Sequence, residues 1–276
     1  MNIEINDVRD IMQQVHGKDI GVYAKSFLQK TFERRMAAAG YASIKAYGQF
    51  LARNAAEAET LFRSLNITYS EFFRNPLTFA VLEQMVLPRM IREKEENKQK
   101  EIRVWSAGCA SGQEAYSIAI LLDQLTASRE SRISFRIFAT DVSNEALETA
   151  RAGVYPLSAV ENVRLKYYRR YFTEQKETCI VNEGLKRFID FSAHDLLDSQ
   201  SFSPASSIYG DFDLILCCNL LYYYRSKMQL SILEKLQRAL SPFAYLVSGE
   251  VEQNIVEKNN GFLPLVWPAA IFQKTK

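Results

Sequence analysis

The sequence predicts an α/β protein: a mostly parallel, Rossmann-like sheet, with an all-helical domain ahead of it and a small β-rich insertion within it. Three observations carry this. From Ile102 onward, apolar strand-like runs alternate with helical stretches, the pattern of parallel strands joined by crossover helices. The first run, Val104-Trp105-Ser106-Ala107, passes into Gly108-Cys109-Ala110-Ser111-Gly112 and then directly into a helix, the layout of a nucleoside-binding βαβ unit. Residues 3–65, by contrast, carry only helical periodicity.

In the first segment Phe27, Leu28, Phe32 and Met36 recur at helical spacing, and so do Ile44, Tyr47, Phe50 and Leu51. Gly40 is placed to stop one helix and Ser43 to cap the next. Helical pattern continues over 77–91 and runs into a mixed-charge stretch, 92–101, that reads as a solvated helix end and linker. Expected strands then follow at 102–106, 135–140, 188–192, 212–217 and 244–248, with helices at 114–125, 145–152 and 227–240. Between 157 and 186 the alternation breaks. A basic, aromatic helix over 164–172 reads as a packed face with solvated charges, and a short strand pair is expected around 179–181 and 185–189. The tail, 263–273, reads as a strand pair closing on the sheet. The expected divisions are a helical domain at 1–75, a helical linker at 76–101, and a sheet domain at 102–276 with an inserted β-subdomain at 157–190.

Composition narrows the function classes. The formal net charge of +2 over 276 residues gives no basic footprint for nucleic acid. No apolar run reaches membrane-spanning length, and Met1-Asn2-Ile3-Glu4 does not open a signal peptide, so membrane insertion is not expected. The cysteines are Cys109, Cys179, Cys217 and Cys218, and the histidines only His16 and His194. They lack metal-ligand spacing, so no metal site is expected, and reduced thiols in a cytoplasmic protein are the simplest reading. A monomer is the default expectation.

The residues around the first βαβ unit suggest which nucleoside cofactor it takes. The second strand ends in Asp141, placed to accept from ribose hydroxyls. The loop is neither G-x-G-x-x-G nor a Walker sequence. Glu114 opens the following helix, where the partial positive charge would otherwise favour a pyrophosphate. A carboxylate there repels a pyrophosphate and suits a cationic ligand, which points to S-adenosylmethionine with its sulfonium and ammonium groups. The competing reading is a plain crossover whose glycines serve only tight turns.

Longer blocks carry a more specific signal. In chain order they are Phe32-Glu33-Arg34-Arg35-Met36; 66–76, with Thr68, Ser70 and Phe72-Phe73-Arg74-Asn75-Pro76; Trp105 to Cys109 with Gly112 to Ala119; Ala139-Thr140-Asp141-Val142-Ser143; Ala150 to Tyr155; His194-Asp195-Leu196-Leu197; and 212–223, which includes Cys218-Asn219 and Tyr222-Tyr223. Together they resemble the chemotaxis-receptor methyltransferase family over nearly the whole chain. The resemblance implies a Rossmann-like methyltransferase domain, an all-helical N-terminal domain and an inserted β-subdomain, which in some members docks a receptor's C-terminal peptide. It also implies S-adenosylmethionine as methyl donor, S-adenosylhomocysteine as product, and a chemoreceptor cytoplasmic domain as protein substrate. A glutamate is already ionised at neutral pH and can attack the sulfonium methyl without a general base, so catalysis is mostly positioning.

The resemblance also implies residue roles. Arg74 matches the family arginine near the methyl donor, and Tyr223 the tyrosine near the reacting atoms. Thr68 and Ser70 match polar positions on the cofactor's methionine part, Glu114 the ligand of its ammonium, and Asp141 the ligand of its ribose. Asp195 and Leu196 border the adenine. Gly108 lies in the approach loop, and Cys218 and Asn219 at a strand end facing the cofactor. Each has a bland rival: a surface ion pair for Arg74, a core position for Tyr223, a helix cap for Asp141. The chain departs from the family where Cys218 replaces an arginine, where Arg225 replaces an acidic residue after the tyrosines, where 241–244 replaces a Pro-Gly-Gly turn, and where 248–252 replaces Gly-His-Ser-Glu. Only Lys25, Lys30, Arg34 and Arg35 remain of a basic helix. The leading expectation is a protein-glutamate O-methyltransferase. The alternative is an S-adenosylmethionine-binding regulatory module with weak or no methyl transfer. An N-methyltransferase is disfavoured, because the Asn-Pro-Pro-Tyr type of loop is absent at 218–221.

Overall fold

The computed structural model describes residues 2–128, 133–207 and 210–275. The chain divides into two compact units. One is Met1–Ile67 with Tyr222–Gln229, the other Thr68–Leu221 with Leu230–Lys276.

The first unit is helical, with α1 (Asn2–His16), α2 (Lys25–Ala39), α3 (Ile44–Ala52) and α4 (Ala55–Arg63). Ser43 caps α3 as expected, its Oγ accepting from the Ala46 N–H at 3.2 Å. Gly40 ends α2 in the left-handed region at φ 77°. The apolar stripes meet in one core around Val8, Met12, Ile20, Leu28, Phe32, Tyr47, Leu51 and Leu61. At its edge the Glu57 carboxyl takes both Arg35 Nε (3.0 Å) and Arg35 Nη2 (2.6 Å), and the Tyr47 hydroxyl donates to it at 2.7 Å. Burial and that carboxyl push the Tyr47 phenol well above its ordinary range. Arg35 is therefore an internal strut of the fold. The late segment 222–229 completes this unit: the Ala24 N–H donates to Tyr223 O at 2.7 Å, Tyr224 stacks on Tyr23 at 5.4 Å between centroids, and Arg225 Nε donates to Tyr23 O at 3.1 Å. The departure at Arg225 thus has a structural use.

The second unit begins with α5 (Pro76–Val81), which continues through a π-helical turn, Leu82–Val86, into α6 (Leu87–Glu96). There follow β1 (Glu101–Ala107), α7 (Gln113–Ser128), β2 (Ser134–Asp141), α8 (Asn144–Ala152), β3 (Val154–Pro156), α9 (Leu165–Tyr171), β4 (Phe172–Gln175), β5 (Thr178–Val181) and α10 (Glu183–Lys186). The chain ends with β6 (Ile189–Ala193), β7 (Phe212–Cys217), α11 (Ser226–Ala239), β8 (Leu240–Ser248), α12 (Gln253–Glu257), β9 (Phe262–Pro264) and β10 (Ile271–Lys274). The main sheet has the order β6-β2-β1-β7-β8-β10-β9. Its first five strands are parallel, and β10 and β9 add antiparallel. The central strands read as near-continuous apolar runs because helices cover both faces. Chain order reverses at β1, between β2 and β7, which makes the carboxyl edge there the switch point where ligands bind in such sheets.

The insertion differs in detail from the expected strand pair. β5 is a strand, but its partners are β3 and β4 in a separate three-stranded sheet. Residues 183–186 form one helical turn, and Ile189 opens the third parallel strand. The reason is burial: Cys179 and Val181 are fully covered, while Leu185 folds back as the single apolar anchor of α10.

Candidate active site

The loop between β1 and α7 is tied to the end of β2. The N–H groups of Gly108 and Cys109 both donate to Thr140 O, at 2.8 and 2.9 Å. Gly108 has φ 79° and Gly112 φ 94°, and a Cβ on Gly112 would lie 2.8 Å from the Ala150 Cβ, so the close packing of loop on α8 needs glycine there. Ala110 is also left-handed, at φ 48°, and its N–H donates to Asp141 Oδ2 at 2.9 Å. The other Asp141 oxygen accepts from the Ser143 N–H at 2.9 Å. Ser143 is the N-cap of α8, so the capping role lies there, leaving Asp141 at the strand tip. Burial raises the Asp141 carboxyl, opposed by these N–H donors.

Glu114 stands in the first turn of α7, where Ser106 Oγ of β1 donates to it at 2.6 Å. Burial pushes its carboxyl up. The hydrogen bond from Ser106 pulls it down, as do the nearby Cys218 thiol and the positive charge of Arg74, while Glu252 raises it. Glu114, Arg74, Cys218 and Glu252 thus feel one another within this unit.

Arg74 is presented by a strained turn. Phe73 and Asn75, on either side, have φ 50° and 55°, in the left-handed region that ordinary side chains avoid. The turn is held by its neighbours. Phe72 is fully buried and packs edge-on against Tyr155 and Phe172. The Phe73 N–H donates to Ser117 Oγ at 2.9 Å, and its ring stacks on Tyr167. The two phenylalanines are anchors, and the arginine between the strained residues lies 5.6 Å from the Tyr69 ring. Thr68 is exposed and Ser70 half-buried on the same stretch.

Beyond β6, Asp195 is exposed and Leu196 buried. Asp195 Oδ1 accepts from the Leu197 N–H at 2.8 Å, closing a tight turn. Lys235 of α11 holds this loop from below. It is only 6 % exposed, and its ammonium donates to Asp198 O at 2.6 Å and Asp195 O at 3.4 Å. Lys235 went unnoticed in the sequence, although a lysine among Ile232, Leu233 and Leu236 on one helix face was a readable signal, and Glu252 was noted only within the departure at 248–252. Cys218 and Asn219 follow directly on β7, with Asn219 left-handed at φ 59°. Tyr223 belongs to the helical unit, its ring 4.7 Å from Phe27 and its hydroxyl accepting from Tyr222 at 2.7 Å.

A glycine-lined loop after β1, a carboxyl at the tip of β2 and a half-buried carboxyl opening α7, all on the carboxyl edge of a parallel sheet, define the class: a Rossmann-like S-adenosylmethionine-dependent methyltransferase. Residues 68–266 match the family described as "CheR methyltransferase, SAM binding domain", and residues 3–65 match "CheR methyltransferase, all-alpha domain". The chain belongs to the CheR methyltransferase family. It is 27% identical over 278 residues to a chemotaxis protein methyltransferase of Borreliella burgdorferi, covering 97% of this chain and 95% of that one. It is 29% identical over 251 residues to a chemotaxis protein methyltransferase of Salmonella typhimurium, covering 88% and 81%. Chemotaxis protein methyltransferase 1 of Pseudomonas aeruginosa is 32% identical over 185 residues, covering 66% and 64%. Among the described residues no helix is long and apolar enough to cross a membrane.

The residues present fit S-adenosylmethionine. Glu114 is a carboxyl kept largely from water among neutral hydrogen-bond donors, a place where a bound cation would offset the desolvation that now raises it.

Proposed function

We propose that this methyltransferase acts on glutamate side-chain carboxylates of chemoreceptor cytoplasmic domains, in the cytoplasm, giving glutamate methyl esters. The observation that carries this is the presentation of Arg74 in a strained, doubly anchored turn within electrostatic reach of Glu114.

When bound, S-adenosylmethionine supplies a methyl group activated by its sulfonium. Glu114 takes the cofactor's ammonium, and Asp141 accepts from the ribose hydroxyls with whatever lone pairs its two backbone donors leave free. Gly108 keeps the loop backbone clear of side chain. Asp195 and Leu196 border the adenine, and Cys218 and Asn219 face the cofactor from the end of β7. Thr68 and Ser70 contact its methionine part. Arg74 serves the transfer itself: the guanidinium holds the incoming carboxylate by charge-assisted bonds. The acceptor, with a pKa of about 4.3, arrives ionised, so the site has to align and desolvate it and needs no base.

The test is methyl transfer from labelled S-adenosylmethionine to a receptor cytoplasmic fragment from the same organism, scored by base-labile release of label. Base-labile label supports a carboxyl methyl ester. Clear cofactor binding without transfer would overturn this reading in favour of a regulatory module.

A further inference from the structure

The carboxyl edge holds a fully buried acid that the roles above leave unused. Strands β7 and β8 are parallel neighbours whose last residues, Cys217 and Ser248, lie in register. The chains leaving them, 218–220 and 249–252, therefore emerge side by side. Glu252 sits between them, 0 % exposed. Its Oε2 accepts two backbone N–H groups, that of Asn219 at 2.7 Å and that of Gly249 at 2.8 Å. One oxygen thus ties together the first turns beyond both strands.

The surroundings are shaped for this contact. Asn219 is left-handed at φ 59°, which turns its N–H toward Glu252 at some backbone cost. A Cβ on Gly249 would lie 2.7 Å from Glu252 Oε2, 2.9 Å from Asn219 N and 2.9 Å from Asn219 Oδ1. Gly249 has ordinary φ, so it is space that calls for glycine there. The residue before Asn219 is Cys218, whose thiol donates to Val247 O at 3.8 Å and stands near enough to Glu114 for each to shift the other's proton affinity. The Glu252 carboxyl therefore holds the Asn219 backbone, and with it the adjoining Cys218, which lies in the electrostatic neighbourhood of Glu114.

We propose that Glu252 is a positioning residue of the cofactor site: by accepting both N–H groups it sets where Asn219 and Cys218 stand at the end of β7, and so shapes the wall that faces Glu114. The proposal rests on the reading of Cys218 and Asn219 as cofactor-side residues and is independent of which acceptor is methylated. Losing the carboxyl leaves two buried N–H groups without their acceptor and frees Asn219 to relax out of its left-handed conformation.

The experiment is calorimetric binding of S-adenosylmethionine and S-adenosylhomocysteine to the full chain, without any protein substrate, for wild type, Glu252→Ala, Glu252→Gln and Gly249→Ala. Glu252→Ala is expected to weaken both ligands about tenfold or more. Glu252→Gln, whose amide oxygen still accepts both N–H groups, stays within about threefold of wild type. Gly249→Ala, which keeps Glu252 but crowds the contact, reproduces the loss and keeps the test decisive if Glu252→Ala does not fold. Wild-type affinity in Glu252→Ala or in Gly249→Ala overturns the proposal. So does a loss in Glu252→Gln as large as in Glu252→Ala, which would make charge, not hydrogen bonding, the contribution. A wrong assignment of the methyl acceptor leaves every one of these affinities unchanged.

Discussion

Replacing Glu114 by glutamine separates binding from folding at one side chain. Its carboxyl is raised from the ordinary 4.5 chiefly by burial, with Glu252 adding to the rise and Ser106, Cys218 and Arg74 opposing it. A folded-state value above the unfolded one means the native protein holds this proton more tightly. That contribution to stability is fully present below the ordinary carboxylate value and is lost as pH rises through the raised one. The charged form of Glu114 is thus the costly one in the ligand-free protein, and Glu114→Gln removes that form while its amide oxygen still accepts from Ser106 Oγ. On the proposed role of Glu114, the bound cofactor's ammonium would lose a charge-assisted partner, worth about 1.5–3 kcal/mol. That is about 10- to 150-fold in affinity at 1.4 kcal/mol per decade. Calorimetry should show this loss near pH 7.5, while the melting temperature without cofactor stays level or rises. In the wild type, affinity should fall as pH drops through the raised Glu114 value, and this dependence should be missing in the variant. A variant that loses cofactor affinity and melting temperature together would refute the reasoning, because Glu114 would then be holding the fold.

Three further outcomes are expected. Arg74→Ala should cut methyl transfer by about 100-fold or more while changing cofactor affinity by less than about tenfold, since the guanidinium orients the acceptor; equal losses in both would sink that role. Gly112→Ala forces a side chain to φ 94° with its Cβ 2.8 Å from Ala150, and should destabilise the protein by about 2–4 kcal/mol in denaturant unfolding. Glu57→Ala strands the Tyr47 hydroxyl and the Arg35 guanidinium, which share its carboxyl at 2.6–3.0 Å. A loss of about 2–4 kcal/mol is expected, read as a lower urea midpoint; Glu57→Gln should recover part of it.

The parallel sheet was legible because its information is local. The runs behind β1, β2 and β7 are largely apolar, and the turn after β1 carries glycines while β2 ends in an acid. The family blocks carried the fold and, with it, the S-adenosylmethionine-binding domain. What escaped depends on distant partners. The pairing of β5 with β3 joins Cys179 to Tyr155, and nothing within the Cys179 stretch names that partner. The buried role of Glu252 comes from N–H groups on two different strand ends, whereas in sequence it is one of several acids in an exposed-looking run. Arg35 reads as part of a basic helix face, and only Glu57, on another helix, turns it inward. The π-helical turn at 82–86 left no mark in the apolar periodicity.

The helical unit is assembled from two stretches of chain far apart in sequence, with Tyr223 and Tyr224 lying against Phe27 and Tyr23. On the ribosome its own helices emerge first, yet its last piece is synthesised only after most of the sheet domain. Until then Tyr23 and Phe27 lack those aromatic neighbours, and the Ala24 N–H lacks its carbonyl. A fragment cut after residue 67 would retain that unfinished face permanently. The unit whose helices precede the sheet domain in the chain is thus among the last to be completed during synthesis.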